Sequence, residues 1–583
     1  MHKSVTNKIW KNKDIPSSLI SKLIQQFELS ELTARLVASR TPDIDSVGDF
    51  LNPKIKNLMS NPYDLLDMDK AVERTLSAIK NGEKICIYGD YDVDGATSSA
   101  LLKIIFDQLN VENIVYIPDR MKDGYGLSNG ALTKIKSEEA SLVITVDSGS
   151  MAHEAIDFAN QIGLDVIVID HHLAIEKLPE AVAIVNPNRL DEKTKYKYLA
   201  AVGVAFLFAT ALISSLKNNG YFEEKNLIIP NLIDLLDIVA LGTVCDMMPL
   251  VGLNRAFVKQ GLKILSNRKN IGIKTLCDKG GIDQTPSTYH LGFVLGPRIN
   301  AGGRVGESFL GSKLLSTNSE IEAQEIVEKL EQFNNDRKRI ESEILQEAIE
   351  LSELEKEKNI ILVSGKWHPG VIGVVAGKLK ELYKKPVAVV SNIDGLSKAS
   401  CRSIKGIDFG SALSEAKLLD LVDVGGGHAM AAGFTTSEKK LIPLSEFLNE
   451  RFSKYKDAIE SAKVFEYEIE VTSSGISEKL YKEIHELAPF GNGNYEPIIR
   501  VNDLFVVKAH IVGEKHISCL LASDRNSYKG EAIKTIIFNS VGTSIEEFVM
   551  STIPHKISII GTIQMQHYNG KSYPQIVVQD LIV

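Results

Sequence analysis

Short apolar runs alternate with amphipathic stretches in two parts of the chain. Between residues 84 and 172 the runs KICIYGD, NIVYIPD, SLVITVDSG and LDVIVIDHH are separated by stretches of helical periodicity such as GATSSALLKIIFDQLN. Apolar runs that alternate with helices are typical of a parallel sheet covered on both faces. A second segment of this kind, from 359 to 460, places the helix GVIGVVAGKLKELY between the runs NIILVSG and PVAVVS. The pattern therefore predicts an α/β protein with two lobes.

Other patterns surround these lobes. Residues 318–358 are highly charged, with apolar side chains at helical spacing, which predicts a long helix joining the lobes. From residue 464 onward several short strands predict a small β-barrel. The stretch GPRINAGGR at 296–304 is interpreted as a glycine-rich loop. The expected divisions are an N-terminal helical segment at 1–65, the first lobe at 66–265, a linker region with the long helix at 266–358, the second lobe at 359–460 and the barrel at 464–583.

Composition narrows the class of protein. The 583 residues include 66 Lys and Arg against 75 Asp and Glu, a formal net charge of −9. Binding to nucleic acid must then come from a local patch or from metal ions. The five cysteines contain no CxxC pair, which argues against a disulfide framework or a structural zinc site and fits the cytoplasm. No uninterrupted apolar run approaches the length of a membrane span, so no membrane association is expected.

Acidic side chains and two histidines follow the predicted strands of the first lobe. Asp90, Asp92 and Asp94 alternate after the first strand, and Asp147 ends the third. The remaining candidates are Asp170, His171 and His172 after the fourth strand, and Asp246 after the run LLDIVALGTVC. Ligands in open α/β sheets bind beyond the carboxyl ends of the strands.

Carboxylates crowded at such an edge repel one another unless a cation neutralises them. Oxygen ligands select Mg²⁺, Mn²⁺ or Ca²⁺. An EF-hand is disfavoured because its twelfth position, counted from Asp90, is Leu101 rather than glutamate. The set could hold two cations about 3.5–4 Å apart, with Asp147 bridging them, which is the usual arrangement for displacement at phosphorus.

The stretches Y-G-D-Y-D-V-D-G, V-D-S-G, D-H-H and G-T-V-C-D-M-M-P-L resemble the successive motifs of the DHH phosphoesterase superfamily. Within it the chain is similar to the RecJ single-strand-specific 5′→3′ exonucleases, and the likeness extends over YIPDRMKDGYGL, GPRINAGGR, WHPGVIGVVAGKL and GGGHAMAAGF. The resemblance implies a DHH lobe, a DHHA1 lobe and a C-terminal OB-fold. It also implies two Mn²⁺ or Mg²⁺ ions. Their implied ligands are Asp92, Asp94, Asp147, His171 and Asp246, with Asp90 as a direct or an outer ligand.

The resemblance further implies the residues that handle the substrate. His172, His428 and Asp170 are the expected catalytic side chains around the metal ions. Ser400, Arg402 and Arg120 are placed like the family's contacts to a 5′ phosphate, and an arginine fork suits that role. The other expected substrate contacts are Arg298, Asn300, Arg304, His368, Gly425, Gly426 and Gly427. His428 is expected to face a catalytic cleft between the two lobes.

The implied activity is 5′→3′ hydrolysis of single-stranded DNA to 5′-mononucleotides in repair and recombination. Single-strand-binding protein and a RecQ-type helicase are the partners that the resemblance suggests, and the chain is expected to be a cytoplasmic monomer. One alternative is a DHH phosphoesterase for oligoribonucleotides, cyclic dinucleotides or pyrophosphate, although such enzymes are usually shorter. The other is an inactive relative that serves as a replication scaffold, which would predict lost ligands.

Overall fold

The computed structural model describes residues 3–583 apart from 42, 120–125, 175–176, 394, 525–531, 552–555 and 569–570, and gives residues 567, 568 and 571 by their backbone alone. The chain forms two compact units. Unit 1 contains Met1–Ile44, Lys338–Leu487 and Glu496–Val583, and unit 2 contains Asp45–Arg337 and Ala488–Tyr495.

Unit 1 begins with β1 (Ile9–Asn12), α1 (Ser17–Phe27) and α2 (Glu31–Ala38). The side chain of Ser30 caps α2 by accepting a hydrogen bond from the backbone N–H of Thr33. An ion pair of 2.7 Å between Arg40 and Glu468, both largely buried, attaches this segment to the later part of unit 1. The N-terminal segment therefore folds with residues far along the chain.

The first part of unit 2 is a parallel sheet flanked by helices. Its elements are α3 (Val47–Leu51), α4 (Ile55–Leu58), α5 (Met68–Asn81), β2 (Lys84–Gly89), α6 (Val93–Gln108), β3 (Asn113–Tyr116), α7 (Asn129–Ser137), β4 (Ala140–Val146), α8 (His153–Gln161), β5 (Asp165–Ile169) and β6 (Ala183–Val185). The five strands are parallel in the order β3-β2-β4-β5-β6. Gly82 ends α5 in the left-handed region, with φ 67°. The predicted α/β lobe is confirmed.

Helices complete unit 2. They are α9 (Ala201–Asn218), α10 (Tyr221–Glu224), α11 (Leu236–Cys245), α12 (Gly252–Ser266), α13 (Ile271–Lys279), a π-helix (His290–Leu295), α14 (Gly296–Val305) and α15 (Leu310–Ser316). Among the described residues α9 alone is long and apolar enough to cross a membrane, and 72% of it is buried, as in a core helix. Apolar side chains from α13 to Leu330 join the same core, so much of the expected linker region packs within unit 2.

The stretch GPRINAGGR is a helix and not the expected loop. It forms α14, and its glycines allow close packing against the acidic loop after β2. A Cβ atom on Gly303 would lie 2.5 Å from the carbonyl oxygen of Tyr91. The glycines therefore reflect helix packing against backbone rather than a flexible turn.

The long helix α16 (Glu320–Glu355) begins in unit 2 and ends in unit 1. The elements that follow are β7 (Ile361–Gly365), α17 (Ile372–Tyr383), β8 (Val387–Ile393), β9 (Leu396–Arg402), α18 (Phe409–Leu418), β10 (Val424–Gly427), β11 (Ala431–Ser437), α19 (Leu441–Ser453) and α20 (Lys456–Ser461). Their strands form a mixed sheet in the order β10-β11-β9-β8-β7. This sheet is the second predicted α/β lobe.

A barrel completes unit 1. The final elements are β12 (Val464–Tyr467), β13 (Ile469–Val471), α21 (Glu478–His485), β14 (Ile499–Val512), β15 (His516–Ala522), β16 (Ile533–Ile537), α22 (Ser544–Val549), β17 (Lys556–Tyr568) and β18 (Lys571–Ile582). The pairing of β14 with β17 closes the sheet into a barrel of the expected OB type. Two helices, α21 and α22, lie in a region where the sequence pattern indicates strands alone.

Candidate metal centre

The acidic motifs of unit 2 meet at one edge of the parallel sheet. Asp90, Asp147 and Asp170 directly follow the adjacent strands β2, β4 and β5. Asp246 reaches the same place from the carboxyl end of α11. Side chains from four segments far apart in sequence thus converge where α/β sheets bind ligands.

His171 lies among three carboxylates. Its Nε2 atom is 3.2 Å from Asp147 Oδ1, 3.6 Å from Asp246 Oδ2 and 3.8 Å from Asp94 Oδ2. Asp94, His171 and Asp246 form one group of ligand atoms that all lie within 4.8 Å of one another. Asp90, Asp92 and Asp147 form a second such group, which shares its edge of the sheet with the first.

Two carboxylate oxygens in this cluster accept no hydrogen bond from any described residue. Asp147 Oδ1 and Asp246 Oδ2 are buried and unpartnered. Buried polar atoms are nearly always satisfied, because leaving one without a partner costs about 1–3 kcal/mol. Both atoms face His171, so they point into the space that a cation would fill.

The electrostatics of the cluster favour binding of a cation. Burial and the carboxylates of Asp92, Asp94, Asp90 and Asp246 hold the pKa of Asp147 well above its usual range. Burial and the neighbouring Asp94 and Asp92 likewise raise the pKa of Asp246. A divalent cation would relieve this repulsion, and oxygen and imidazole ligands suit Mn²⁺ or Mg²⁺. The residues present therefore fit the expected ions.

The two histidines are held in different states. Burial, together with the neighbouring charge of His172, lowers the pKa of His171 to about 4, so its ring is neutral and can bind a metal ion. Burial opposes charge on His172, but its hydrogen bond and charge interaction with Asp170 raise its pKa to about 9. The two atoms, His172 Nδ1 and Asp170 Oδ1, are 2.8 Å apart.

Asp170 serves the histidines rather than a metal ion. It accepts hydrogen bonds from the backbone N–H groups of His171 and His172 at 2.7 and 3.2 Å, and from that of Ser150 at 3.1 Å. Although burial alone would raise its pKa, the hydrogen bond and charge of His172 hold the pKa of Asp170 well below its usual range. Its contacts make it a positioning residue for the His172 ring.

Helix N-termini hold two of the aspartates. Asp92 Oδ1 accepts hydrogen bonds from the N–H groups of Asp94 and Gly95 at the start of α6. The two oxygens of Asp94 accept hydrogen bonds of 2.6 and 2.9 Å from Ala201 and Val202 at the start of α9. Burial and the nearby Asp92 nevertheless raise the pKa of Asp94 to about 7. These contacts fix the carboxylates before any ion binds.

Sequence reasoning missed two asparagines that hold the histidines. Asn186 and Asn188 follow β6 and donate hydrogen bonds of 2.8 and 2.7 Å to the carbonyl oxygens of His172 and His171. The available signal was their position, because NPN directly follows a strand that pairs with β5. Residues 488–495, which contact the Asp246 loop, carried no comparable signal.

The other candidates of unit 2 lie around α14. The Arg298 guanidinium is paired with Glu331 at 2.6 Å and donates to the Val294 carbonyl at 2.7 Å, so a described partner already engages it. Asn300 and Arg304 are half-buried on the same helix. Arg120 lies outside the described residues.

Several candidates of unit 1 meet beside the start of α17. Ser400 and Arg402 lie on β9, with one guanidinium nitrogen 3.3 Å from Ser400 Oγ. A Cβ atom on Gly373, in the first turn of α17, would lie 3.1 Å from Ser400 Oγ and 3.4 Å from Arg402 Nη2. His368 lies in the loop before this helix, and its Nδ1 accepts a hydrogen bond of 3.1 Å from the Gly370 N–H. An arginine beside a helix N-terminus is a suitable site for a phosphate.

The glycine-rich stretch at 425–434 is a hairpin, and its glycines lie in a strand. Gly425, Gly426 and Gly427 form most of β10 and pair with β11. Gly427 has φ 134°, and a Cβ atom there would lie 2.6 Å from Ala432 Cα, so a side chain would not fit. His428 is exposed in the turn.

The features described above define a phosphoesterase domain of the DHH type. They are the parallel sheet of unit 2, the carboxylates at the ends of its strands, and the adjacent histidines His171 and His172. The family model for the DHH family N-terminal domain matches residues 84–243. Models for the DHHA1 domain and the RecJ OB domain match residues 357–454 and 467–580.

Relatives specify the family. The chain is 32% identical to the single-stranded-DNA-specific exonuclease RecJ of Bacillus subtilis, over 98% of this chain and 71% of that protein. It is 36% identical to the protein of the same name from Salmonella typhimurium, over 85% of this chain and 87% of that one. The chain belongs to the RecJ family.

Solved structures of a relative contain the expected ions. A crystal structure of RecJ from Thermus thermophilus in complex with Mn²⁺ is 26% identical and superposes with a TM-score of 0.79, covering 98% of this chain and 79% of that one. The Mg²⁺ complex of the same protein covers 98% and 78% with a TM-score of 0.74. Both ions are among those expected for the carboxylate cluster.

Proposed function

We propose that this protein is a metal-dependent exonuclease that hydrolyses single-stranded DNA from the 5′ end and releases 5′-mononucleotides. The observation that carries the proposal is the convergence of four acidic segments and His171 on buried, unpartnered carboxylate oxygens. The relatives named as exonucleases specific for single-stranded DNA support the substrate class. The polarity and the residue roles are part of the proposal.

In the proposed site each of the two groups of ligand atoms would hold one Mn²⁺ or Mg²⁺ ion. Asp90, Asp92 and Asp147 would hold one ion, and Asp94, His171 and Asp246 the other. When bound, the ions supply positive charge at the scissile phosphate and lower the pKa of a water molecule. The chain contributes a neutral His171 ring and carboxylates already fixed by helix N-termini.

The remaining side chains act on the substrate. Water attacks phosphorus in line with the 3′ oxygen, a new P–O bond forms, and the 3′ oxygen leaves with a proton. A protonated His172, held by Asp170, donates a hydrogen bond to the phosphate and stabilises its developing charge. His428 is proposed as a further catalytic side chain from the family resemblance alone.

The polarity follows from a 5′-phosphate site. Arg402, Ser400 and the N-terminus of α17 provide charged and neutral donors for a terminal phosphate. If the 5′ end is bound there, the first phosphodiester of the strand would be the one that is hydrolysed. Gly425, Gly426, Gly427 and His368 are proposed as further contacts, with Arg304 and Asn300 along the strand.

The barrel is proposed to bind the strand beyond the site, as OB-folds do. A cytoplasmic monomer that works with single-strand-binding protein and a RecQ-type helicase is proposed from family membership alone.

The test is digestion of 5′-phosphorylated single-stranded DNA labelled near one end or the other, in Mn²⁺. Duplex DNA, an oligoribonucleotide, a cyclic dinucleotide and pyrophosphate serve as competing substrates, and Asp147→Ala is the blank. The expected result is stepwise release of mononucleotides from the 5′ end of single strands, abolished in the variant. Release from the 3′ end would overturn the phosphate-site assignment, and turnover of the small substrates alone would overturn the proposed function.

A further inference from the structure

A short segment of the chain, residues 488–495, lies against the loop that carries Asp246. Its neighbours in sequence on both sides belong to unit 1, whereas the segment itself belongs to unit 2. We call it the 488–495 strap. The sequence APFGNGNY shows no metal-ligand pattern, and the activity proposed above assigns the strap no role.

The strap is hydrogen-bonded to the backbone of a left-handed residue and of a residue three positions after it. The Asn492 side-chain amide donates a hydrogen bond of 2.6 Å to the Met247 carbonyl, and the Asn492 carbonyl accepts one of 2.7 Å from the Leu250 N–H. Met247 directly follows Asp246 and has φ 57°, a backbone conformation that residues other than glycine rarely adopt. Such a turn persists where surrounding contacts hold it.

Two glycines of the strap lie close to the residues that follow Asp246. A Cβ atom on Gly491 would lie 2.8 Å from Leu250 Cδ1, and one on Gly493, which has φ 74°, would lie 3.0 Å from Pro249 Cβ. Asn494 is buried and donates to the Pro489 carbonyl at 2.7 Å, which closes the strap on itself.

A buried arginine secures the beginning of the strap. Arg255 is 1% exposed and donates to the carbonyl oxygens of Pro489 and Ala488 at 3.2 and 3.3 Å. Its Nε donates to the Phe50 carbonyl at 2.8 Å. Hydrogen bonds therefore attach the strap to the rest of unit 2 at its beginning and at Asn492.

From these contacts we infer that Asn492 is a positioning residue for the metal centre: it holds the turn after Asp246 so that Asp246 Oδ2 points at His171. The inference rests on the proposed role of Asp246 as a metal ligand. Outer hydrogen bonds of this kind orient ligands, and their loss typically costs about 10–100-fold in metal affinity or activity.

The test measures binding of Mn²⁺ alone to the full chain. The electron paramagnetic resonance signal of the free ion reports how much Mn²⁺ remains unbound. Asn492→Leu removes the donor at nearly constant volume, and Gly493→Ala presses on Pro249 from the same strap. Asn231→Ala, on an exposed asparagine of unit 2, is the matched control. We expect both strap variants to bind Mn²⁺ about tenfold more weakly, with the control unchanged.

Activity supplies a second readout. In Asn492→Leu the Mn²⁺ concentration for half-maximal hydrolysis should rise by the same factor, while kcat at saturating Mn²⁺ and KM for DNA stay near wild type. Wild-type Mn²⁺ affinity in a folded Asn492→Leu variant would overturn the inference, as would a lowered Tm with no change in affinity. Asp246→Ala separates the two claims, because unchanged Mn²⁺ binding in that variant would overturn the proposed site itself.

Discussion

Replacing Asp147 by asparagine should abolish activity and at the same time stabilise the metal-free protein. Asp147 is 2% exposed, its Oδ1 has no hydrogen-bond partner among the described residues, and carboxylates crowd it. Asparagine keeps the shape and tolerates the φ of 62° found here. The amide still leaves a buried polar atom without a partner, so the gain comes from removing an acid that burial and neighbouring carboxylates disfavour as an anion, and it should be about 2 kcal/mol.

The gain should depend on pH in a defined direction. Burial and like charges raise the pKa of Asp147, so the folded chain must retain a proton that the unfolded chain releases. The wild type is therefore favoured below the unfolded pKa and loses stability as the pH rises above it. The advantage of Asp147→Asn should be larger at pH 8 than at pH 5.

Thermal unfolding of EDTA-treated protein measures this effect. A gain of about 2 kcal/mol corresponds to about 3 °C in Tm for a unit of about 300 residues, because the unfolding entropy is about 2.1 cal/mol/K per residue. Mn²⁺ should raise the Tm of the wild type strongly and that of the variant little. Asp157→Asn, on an exposed aspartate of α8, is the control. A metal-free variant that melts no higher than the wild type, or one that Mn²⁺ stabilises equally, would refute the reasoning.

Four further results are expected. Arg402→Ala should reduce the preference for 5′-phosphorylated over 5′-hydroxyl ends by about tenfold or more in a competition digest, because a charge-assisted hydrogen bond contributes about 1.5–3 kcal/mol. An unchanged preference would contradict the phosphate site. Asp170→Asn should lower the pKa of His172 from about 9 toward its ordinary value, because it removes the charge that raises this pKa. NMR titration of the imidazole measures the change. Gly303→Ala should reduce kcat by about tenfold or more with the helical circular dichroism retained, because its Cβ would lie 2.5 Å from the Tyr91 carbonyl. Mn²⁺ should raise the wild-type Tm more at pH 8 than at pH 5, since protons compete for the crowded carboxylates; equal shifts would contradict the proposed ligands.

The parallel sheet and most of the metal centre could be predicted from the sequence. Apolar runs alternating with helices define the strands, and Asp90, Asp147 and Asp170 stand where those strands end. Because parallel strands have their carboxyl ends on one edge, spacing along the chain was enough to bring these side chains together. The neutral His171 and charged His172 required the structure, since each state depends on burial and on a partner.

Local pattern misled where glycine serves packing. The composition of GPRINAGGR indicates a loop, but the stretch is helix α14, and Gly303 lets this helix pack against the Tyr91 backbone. The GGG stretch at 425–427 forms a strand whose neighbour excludes any Cβ at Gly427. A glycine in the sequence indicates either that another segment packs closely against its backbone or that its φ is unusual. The sequence does not reveal which segment packs there.

The sequence alone determined the succession of strands and helices along the chain and which acidic side chains share an edge, because both follow from periodicity and chain direction. Tertiary structure decided what those side chains meet. Three contacts join residues far apart in sequence, which periodicity does not encode. They are those of the α9 N-terminus with Asp94, of Asn186 with His172, and of the 488–495 strap with the turn after Asp246. Such contacts arise from how packed elements bring backbone groups within hydrogen-bonding distance, and that is a property of the folded chain.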